Sequence, residues 1–351
     1  MKCIHKIIQG DSRKKFPLKK DSVDLVVTSP PYPMIEMWDG TFSKQNETIG
    51  ETLRKCNGNK AFELMHKELD KVWKNIAGAV KEGGIVCINI GDAVRSIKGE
   101  FKLYSNHSRI ISAFLNLGFT ALPDILWRKQ TNSPNKFMGS GMLPPGAYVT
   151  LEHEYILIFR KGNKKNFDGE ESRHNRNSSA YFWEERNTWF SDVWDFKGAS
   201  QNILNGVRER SGSFPFELPY RLINMFSVKG NTVLDPFLGL GTSVFAAAAS
   251  GRNGIGIEWE EGLIEGILKA FDNKLKNDLN NFLNGRIKNH LLFIEEIKKK
   301  RGENYFKYFN KNYNFPVITR QEMNIFINYI KKISKEENCI ITEYYIDAAA
   351  V

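Results

Sequence analysis

A chain of 351 residues, 41% hydrophobic and 26% charged, is long enough to bury a full core and to hold one catalytic domain with an inserted or appended part. No apolar run reaches the length of a membrane span and no charged-then-apolar leader opens the chain, so neither a membrane anchor nor secretion is expected, and a cytoplasmic location is. The net charge of +10 suits a polyanionic partner, and Cys3, Cys56, Cys87 and Cys339 lie too far apart to suggest a zinc motif or a disulfide framework, so no metal is expected.

The first strong element is the apolar run Val23 to Thr28, which reads as a strand and stops at Ser29-Pro30-Pro31-Tyr32. Two prolines fix two φ angles and remove two N–H donors, so the chain leaves the strand stiffly, with carbonyls free to accept hydrogen bonds. Tyr32 sets an aromatic face beside those acceptors, which suits a planar ring carrying an amino group; a plain Pro-Pro turn with Tyr32 in the core explains the tetrapeptide equally well. Apolar residues at helical spacing predict a helix over Phe62 to Val80, stopped by Lys81-Glu82-Gly83-Gly84 and followed by a strand over Ile85 to Ile90. A second such unit runs from a helix over Ile110 to Leu117, ended by Gly118, into a strand over Phe119 to Trp127. Gly139 to Gly146 reads as a flexible loop and Glu154 to Phe159 as a further strand; His153-Glu154 has no ligand-spaced partner and reads as structural. This alternation predicts a doubly wound, mostly parallel α/β sheet, with ligands at the carboxyl ends of the strands.

From Gly162 to Gly212 periodicity is weak and polar, aromatic and basic residues are dense. Arg173, Asn175 and Arg176, with His174 and Asn177, are of the types that read base edges, and Arg208 and Arg210 could clamp a phosphate backbone; a solvated surface is the alternative for each. Trp183, Trp189 and Trp194 read as a small core for this segment. Next, the strand Thr232 to Asp235 runs through Pro236-Phe237-Leu238-Gly239-Leu240-Gly241-Thr242-Ser243 into a helix over Val244 to Ser250. Glycines permit a tight strand-to-helix turn and close backbone approach, and the helix start offers unpaired N–H groups. No Lys follows Gly241, which weakens a triphosphate loop, and no third glycine seats a pyrophosphate. The next apolar run ends in Glu258, placed where such folds hold a ribose diol, so Asp235 and Glu258 suit a cationic ligand that carries a nucleoside; capping the following helices is their plain alternative. Beyond Glu260 the pattern is helical to Arg301, with another helix expected over Gln321 to Ile333 and a strand over Cys339 to Ile346.

Taken together, Ser29-Pro30-Pro31-Tyr32 and Asp235-Pro236-Phe237-x-Gly239-x-Gly241-Thr242 resemble the S-adenosylmethionine-dependent DNA amino-methyltransferases, which methylate cytosine N4 or adenine N6. Phe214 to Ile223 is similar to that family's cofactor-side helix motif, and Asp11 in Ile8-Gln9-Gly10-Asp11 to its short N-terminal motif beside the cofactor adenine. The resemblance implies a seven-stranded Rossmann-like methyltransferase sheet in circularly permuted order, of the β group. Its catalytic half is residues 1–161, a target-recognition region 162–212, a cofactor-binding half 213–265, and a mainly helical extension 266–351. It implies cofactor contacts from Asp11, Phe216, Leu218, Pro219, Asp235, Pro236, Phe237, Gly239, Gly241, Thr242, Ser243 and Glu258, with catalysis at Ser29, Pro30, Pro31 and Tyr32.

The absence of any Pro-Cys pair argues against methylation at cytosine C5, which needs a thiolate nucleophile. An exocyclic amine needs none, but its lone pair is delocalised into the ring. The enzyme must hold both N–H groups to acceptors, for which Ser29 Oγ and the Pro30 carbonyl are candidates. Tyr32 is expected to stack on the base once it is flipped from the duplex. Ser at the first tetrapeptide position resembles the cytosine-N4 members more than the adenine-N6 ones. The expected activity is therefore site-specific cytosine-N4 methylation of double-stranded DNA, beside a separately acting restriction endonuclease. Adenine-N6 methylation, an RNA or protein-amide substrate, and an inactive DNA-binding subunit are the alternatives.

Overall fold

The computed structural model describes residues 1–129, 138–197, 214–337 and 339–347, and Arg208 and Arg210 lie outside them. Among these residues the central sheet has ten strands. They are β1 (Lys2–Gln9), β2 (Val23–Thr28), β3 (Val80–Ile90), β4 (Phe119–Arg128), β5 (His153–Lys161), β6 (Val193–Asp195), β7 (Thr232–Asp235), β8 (Asn253–Glu258), β9 (Ile330–Glu336) and β10 (Cys339–Tyr344). Their spatial order is β6-β4-β5-β3-β2-β7-β8-β1-β10-β9. The run from β4 to β1 is the expected seven-stranded core, to which β6 adds one edge and β10 with β9 the other. Pairings from β3 through β2, β7 and β8 to β1 are parallel, while β5 runs antiparallel to both β3 and β4.

β2 shows why the sheet is covered on both faces: all six of its residues are buried. Side chains alternate across a strand, so Leu25 and Val27 join one core while Val26 joins the other; Val23, on the far side of a register shift, packs with Val26. On the second face the helix Gly58–Ala79 buries Ala61, Met65, Leu69, Val72, Trp73 and Ile76, the stripe that sequence periodicity predicts, and Asn57 caps its start. The helices Glu217–Phe226 and Thr242–Ala249 cover the first face.

Three expectations change. Lys81 to Gly84 is not a stop: β3 begins at Val80, and its register with β2 shifts between Val23 and Leu25. Gly83 adopts φ +74, and a Cβ on Gly84 would stand 2.6 Å from Val80 Cγ1, so the glycine pair lets the strand bulge instead of ending. The continuous helix beyond Glu260 divides into Glu261–Ala270 and Asn273–Arg301, because the Asp272 side chain accepts from Leu275 N–H at 2.8 Å and starts a new helix. The helix over Gln321 to Ile333 is overturned. Only a short 3-10 turn, Arg320–Asn324, forms there, and Ile330 onward becomes β9. The extension is thus not mainly helical at its end: β9 and β10 form a hairpin that pairs with β1. Tyr344 of β10 reaches under the sheet and donates to the Ala248 carbonyl at 2.7 Å, so this hairpin is tied to the glycine-loop helix.

Candidate active site

β2 and β7 are parallel neighbours, so residues separated by some two hundred positions end side by side. The Thr28 and Ser243 hydroxyls each donate to Asp235 at 2.6 Å, and the Phe237 N–H donates at 3.0 Å. Asp235 therefore joins the end of β2, the glycine loop and the start of the next helix. Burial pushes its carboxyl up to about 6, against the pull of the three donors. It does not line the cavity beside it, nor does Ser243, so both brace the glycine loop from behind.

That cavity, about 590 Å³, opens at the carboxyl ends of β1, β2, β7 and β8. Of the residues expected there, Asp11, Ser29, Pro31, Pro236, Phe237, Gly239, Thr242 and Glu258 line it. Gly239 and Gly241 have φ of +56 and +85, which only glycine adopts without strain, and they carry the chain from strand to helix. Gly241 itself is packed behind the wall, where a Cβ would meet Ile267 at 3.0 Å. Glu258 accepts from Gly239 N–H at 2.8 Å and from the N–H groups of Trp259 and Glu260 at 3.0 Å each. It thus fixes the loop while standing at the cavity edge.

Asp11 is not a free acid. Its carboxylate is paired with Arg13 at 2.6 Å; burial alone would raise it, but the Arg13 hydrogen bonds and charge hold it below the usual carboxylate range. Arg13 also bonds Glu68 at 2.9 Å and the Gln45 carbonyl at 3.1 Å, and so fastens the segment carrying Trp38, Thr41 and Lys44 over the cavity. Phe216, Leu218 and Pro219 depart from expectation: all three are buried in the core, Phe216 against Tyr220 and Phe282, and none reaches the cavity. From that motif it is Phe214 that lines it.

Tyr32 also departs from expectation. It is 9% exposed, off the cavity wall, and its hydroxyl donates to Glu154 at 2.9 Å while accepting from Asn89 Nδ2 at 2.8 Å. The readers expected at Arg173 to Asn177 sit in the helix Glu170–Ser178, where Asn175 donates to the Lys229 carbonyl at 2.9 Å. Lys229 precedes β7, so this helix packs at the opposite end of that strand from Asp235 and the cavity. Arg176 lies over the Phe167 ring and Arg173 is exposed there. Trp189 and Trp194 are buried as a small core should be, while Trp183 is 42% exposed and stacks on Phe293. Sequence reasoning missed Asn89 and Lys129 behind Ser29, set Glu154 aside as structural, and missed Trp38 and Trp259 on the cavity wall. A polar Asn89 inside the apolar Ile88-Asn89-Ile90 was the available signal.

A family model described as DNA methylase matches residues 23–272. The chain belongs to the DNA methylase family. Across 96% of its length it is 50% identical to Type II methyltransferase M.MthZI of Methanothermobacter thermautotrophicus, of which it covers 94%. It is 49% identical to M.MjaI of Methanocaldococcus jannaschii over 74% of this chain and 88% of that protein. Among solved structures, TTHA0409 of Thermus thermophilus, complexed with S-adenosyl-L-methionine, is 30% identical with a TM-score of 0.59, covering 77% of this chain and 96% of that one. The PvuII cytosine-N4-specific enzyme, 19% identical with a TM-score of 0.53 over 81% of this chain and 94% of that one, shares the fold. The protein is a DNA methyltransferase and uses S-adenosylmethionine. The residues fit that cofactor: a glycine-turned helix start and an acid at the neighbouring strand tip border a cavity with aromatic walls. No described helix is long and apolar enough to cross a membrane.

Proposed function

We propose that this methyltransferase modifies the exocyclic N4 of cytosine at specific sites in duplex DNA, as the modification enzyme of a Type II restriction system whose endonuclease acts separately. The observation that carries the reading is Ser29, a neutral hydroxyl on the cavity wall at the tip of β2, followed at once by two prolines. The cavity is deep in a strand-end crevice, so a base must leave the duplex to reach it. Its amine then presents two N–H groups. Ser29 Oγ accepts one; Pro30 is buried and off the cavity wall between Ser29 and Pro31, and its carbonyl is the candidate for the other, an arrangement that draws the nitrogen toward the tetrahedral, nucleophilic geometry. When bound, S-adenosylmethionine would supply an activated methyl group on a sulfonium, and Glu258, Thr242 and the loop at Gly239 would hold it from the opposite wall. The net charge of +10 supports a DNA partner through phosphate neutralisation.

Serine in place of an acid at the first tetrapeptide position supports the cytosine reading, and the likeness to the Type II methyltransferases M.MthZI and M.MjaI supports the restriction-system role. The test is methyl transfer to mixed-sequence duplex DNA followed by nucleoside mass spectrometry. N4-methylcytosine is the expected product; N6-methyladenine would replace the base and keep the acceptor chemistry.

A further inference from the structure

Behind Ser29 the structure holds a polar chain that the amine chemistry described so far leaves unused. Ser29 Oγ stands 3.1 Å from the Tyr32 hydroxyl, and the Tyr32 O–H donates to Glu154 Oε2 at 2.9 Å. Asn89 Nδ2 donates both to the Tyr32 oxygen at 2.8 Å and to Glu154 Oε2 at 2.6 Å, and Lys129 pairs with Glu154 Oε1. Four segments contribute: the tetrapeptide, the end of β3, the end of β4 and the start of β5. Gly91 lets them meet, since a Cβ there would stand 3.0 Å from the Tyr32 ring and 3.4 Å from the Glu154 side chain. Asn89 and Glu154 are 3% and 9% exposed, so neither is a solvated surface group.

The donors have one consistent direction. Asn89 Nδ2 and Lys129 can only donate, so Glu154 receives as a carboxylate. The Tyr32 proton then points at Glu154, and the Tyr32 oxygen, already accepting from Asn89, takes the Ser29 proton with its second lone pair. Every proton in the chain faces away from the cavity, which leaves the Ser29 lone pairs turned toward the incoming amine. Burial and the neighbouring Glu154 charge raise the Tyr32 phenol well above its ordinary range, so it acts as a neutral link and not as a phenolate.

We propose that Glu154, acting through Tyr32, is the positioning residue that makes Ser29 an acceptor and is the terminal acceptor for the proton that leaves the amine. The inference rests on the amine-methylation reading above. When the nitrogen bonds to the methyl carbon and the carbon–sulfur bond breaks, nitrogen is left with a positive charge and one proton too many. That proton passes to Ser29 Oγ, the Ser29 proton to the Tyr32 oxygen, and the Tyr32 proton to Glu154. The N–H bond broken is matched by the O–H bond formed on the carboxylate, and the amine ends neutral. Asn89 and Lys129 hold Glu154 in place for this.

The experiment compares wild type, Tyr32→Phe, Glu154→Gln and the double variant in single-turnover methyl transfer, with cofactor and DNA affinities titrated separately. Tyr32→Phe keeps the ring and its packing and removes only the hydroxyl link, so it serves even where Glu154→Gln loosens the Lys129 contact. The expected result is a rate loss of about tenfold or more in each single variant, affinities within about twofold of wild type, and a double variant no slower than the slower single one. A Tyr32→Phe enzyme at wild-type rate, or losses that multiply in the double variant, overturns the relay and leaves the function intact. A wild type that binds cofactor and DNA yet methylates no base amine overturns the function and the relay with it.

Discussion

The glycine-loop wall of the cavity comes from one stretch of chain, Asp235 to Thr242, with Glu258 one strand away, whereas the wall behind Ser29 is assembled from four segments spread between residues 29 and 154. In the first wall Asp235 holds the loop from behind, through the Thr28, Ser243 and Phe237 donors, while Pro236, Phe237, Gly239 and Thr242 line the cavity. In the second the backbone is stiffened by proline and a side-chain hydroxyl faces the ligand. The proposed function predicts that damage to the first wall costs folding and cofactor affinity together, and that damage to the second costs rate.

The largest expected effect is that of Asp235→Ala, which leaves two buried hydroxyls and one buried N–H without an acceptor. Denaturant unfolding should show a loss of roughly 3 kcal/mol or more, and cofactor titration a collapse of affinity. Unchanged stability with lost affinity would mean that Asp235 touches the cofactor directly and the two walls are more alike than they look. Gly241→Ala comes next. Its φ of +85 and the approach to Ile267 predict about 1–2 kcal/mol of destabilisation and weaker cofactor binding, seen in the same two titrations. Ser29→Ala should do the opposite: unfolding and cofactor affinity stay at wild-type values while the methyl-transfer rate falls by about a hundredfold, comparable to losing one oxyanion-type partner.

The smallest net effect is in pH dependence, because the two walls contribute with opposite signs. Asp235 titrates at about 6 in the fold against 3.8 as its ordinary value, so the folded state holds its proton longer and this group removes stability as pH rises from about 4 to about 6. His66 lies under the tetrapeptide wall, bonded to Asn106, which in turn holds the Pro33 and Gly91 carbonyls. Burial lowers His66 from 6.5 to about 3, so it stays neutral in the fold and this group removes stability as pH falls from about 6.5 toward 3. Melting temperatures between about pH 4 and 7 should therefore lose part of their acid-side decline in His66→Gln, where the Asp235 contribution is left to slope the other way. Parallel curves for wild type and His66→Gln would rule out this assignment.

Local patterns were the part legible in the chain itself. The strand at Val23 to Thr28, the stripe in the helix Gly58–Ala79 and the glycine turn each depend on neighbours within a few residues, so periodicity and turn chemistry located them. The hairpin of β9 and β10 was not legible as a pair, because Gln321 to Ile333 carries apolar residues at a spacing that fits a helix as well as a strand. Pairing decides the matter: β9 pairs with β10, and β10 with β1 over three hundred positions away. The same reason separates the Asn175 helix from the cavity: base-reading residue types are a property of composition, while the end of the sheet on which they land is set by packing against Lys229.

By itself the sequence determined the α/β fold and the two strand tips, since each is written in a contiguous motif whose geometry follows from proline, glycine and alternation, and the resemblance of those motifs pointed to the family. Only the tertiary structure decided what those tips face. It turned Tyr32 inward onto Glu154, put Asp235 behind the cavity and Glu258 at its edge, and set Phe214 on the cavity wall with Phe216 away from it. The physical reason is that a buried polar group takes whichever partner the packing of distant strands supplies, and that partner has no fixed distance along the chain.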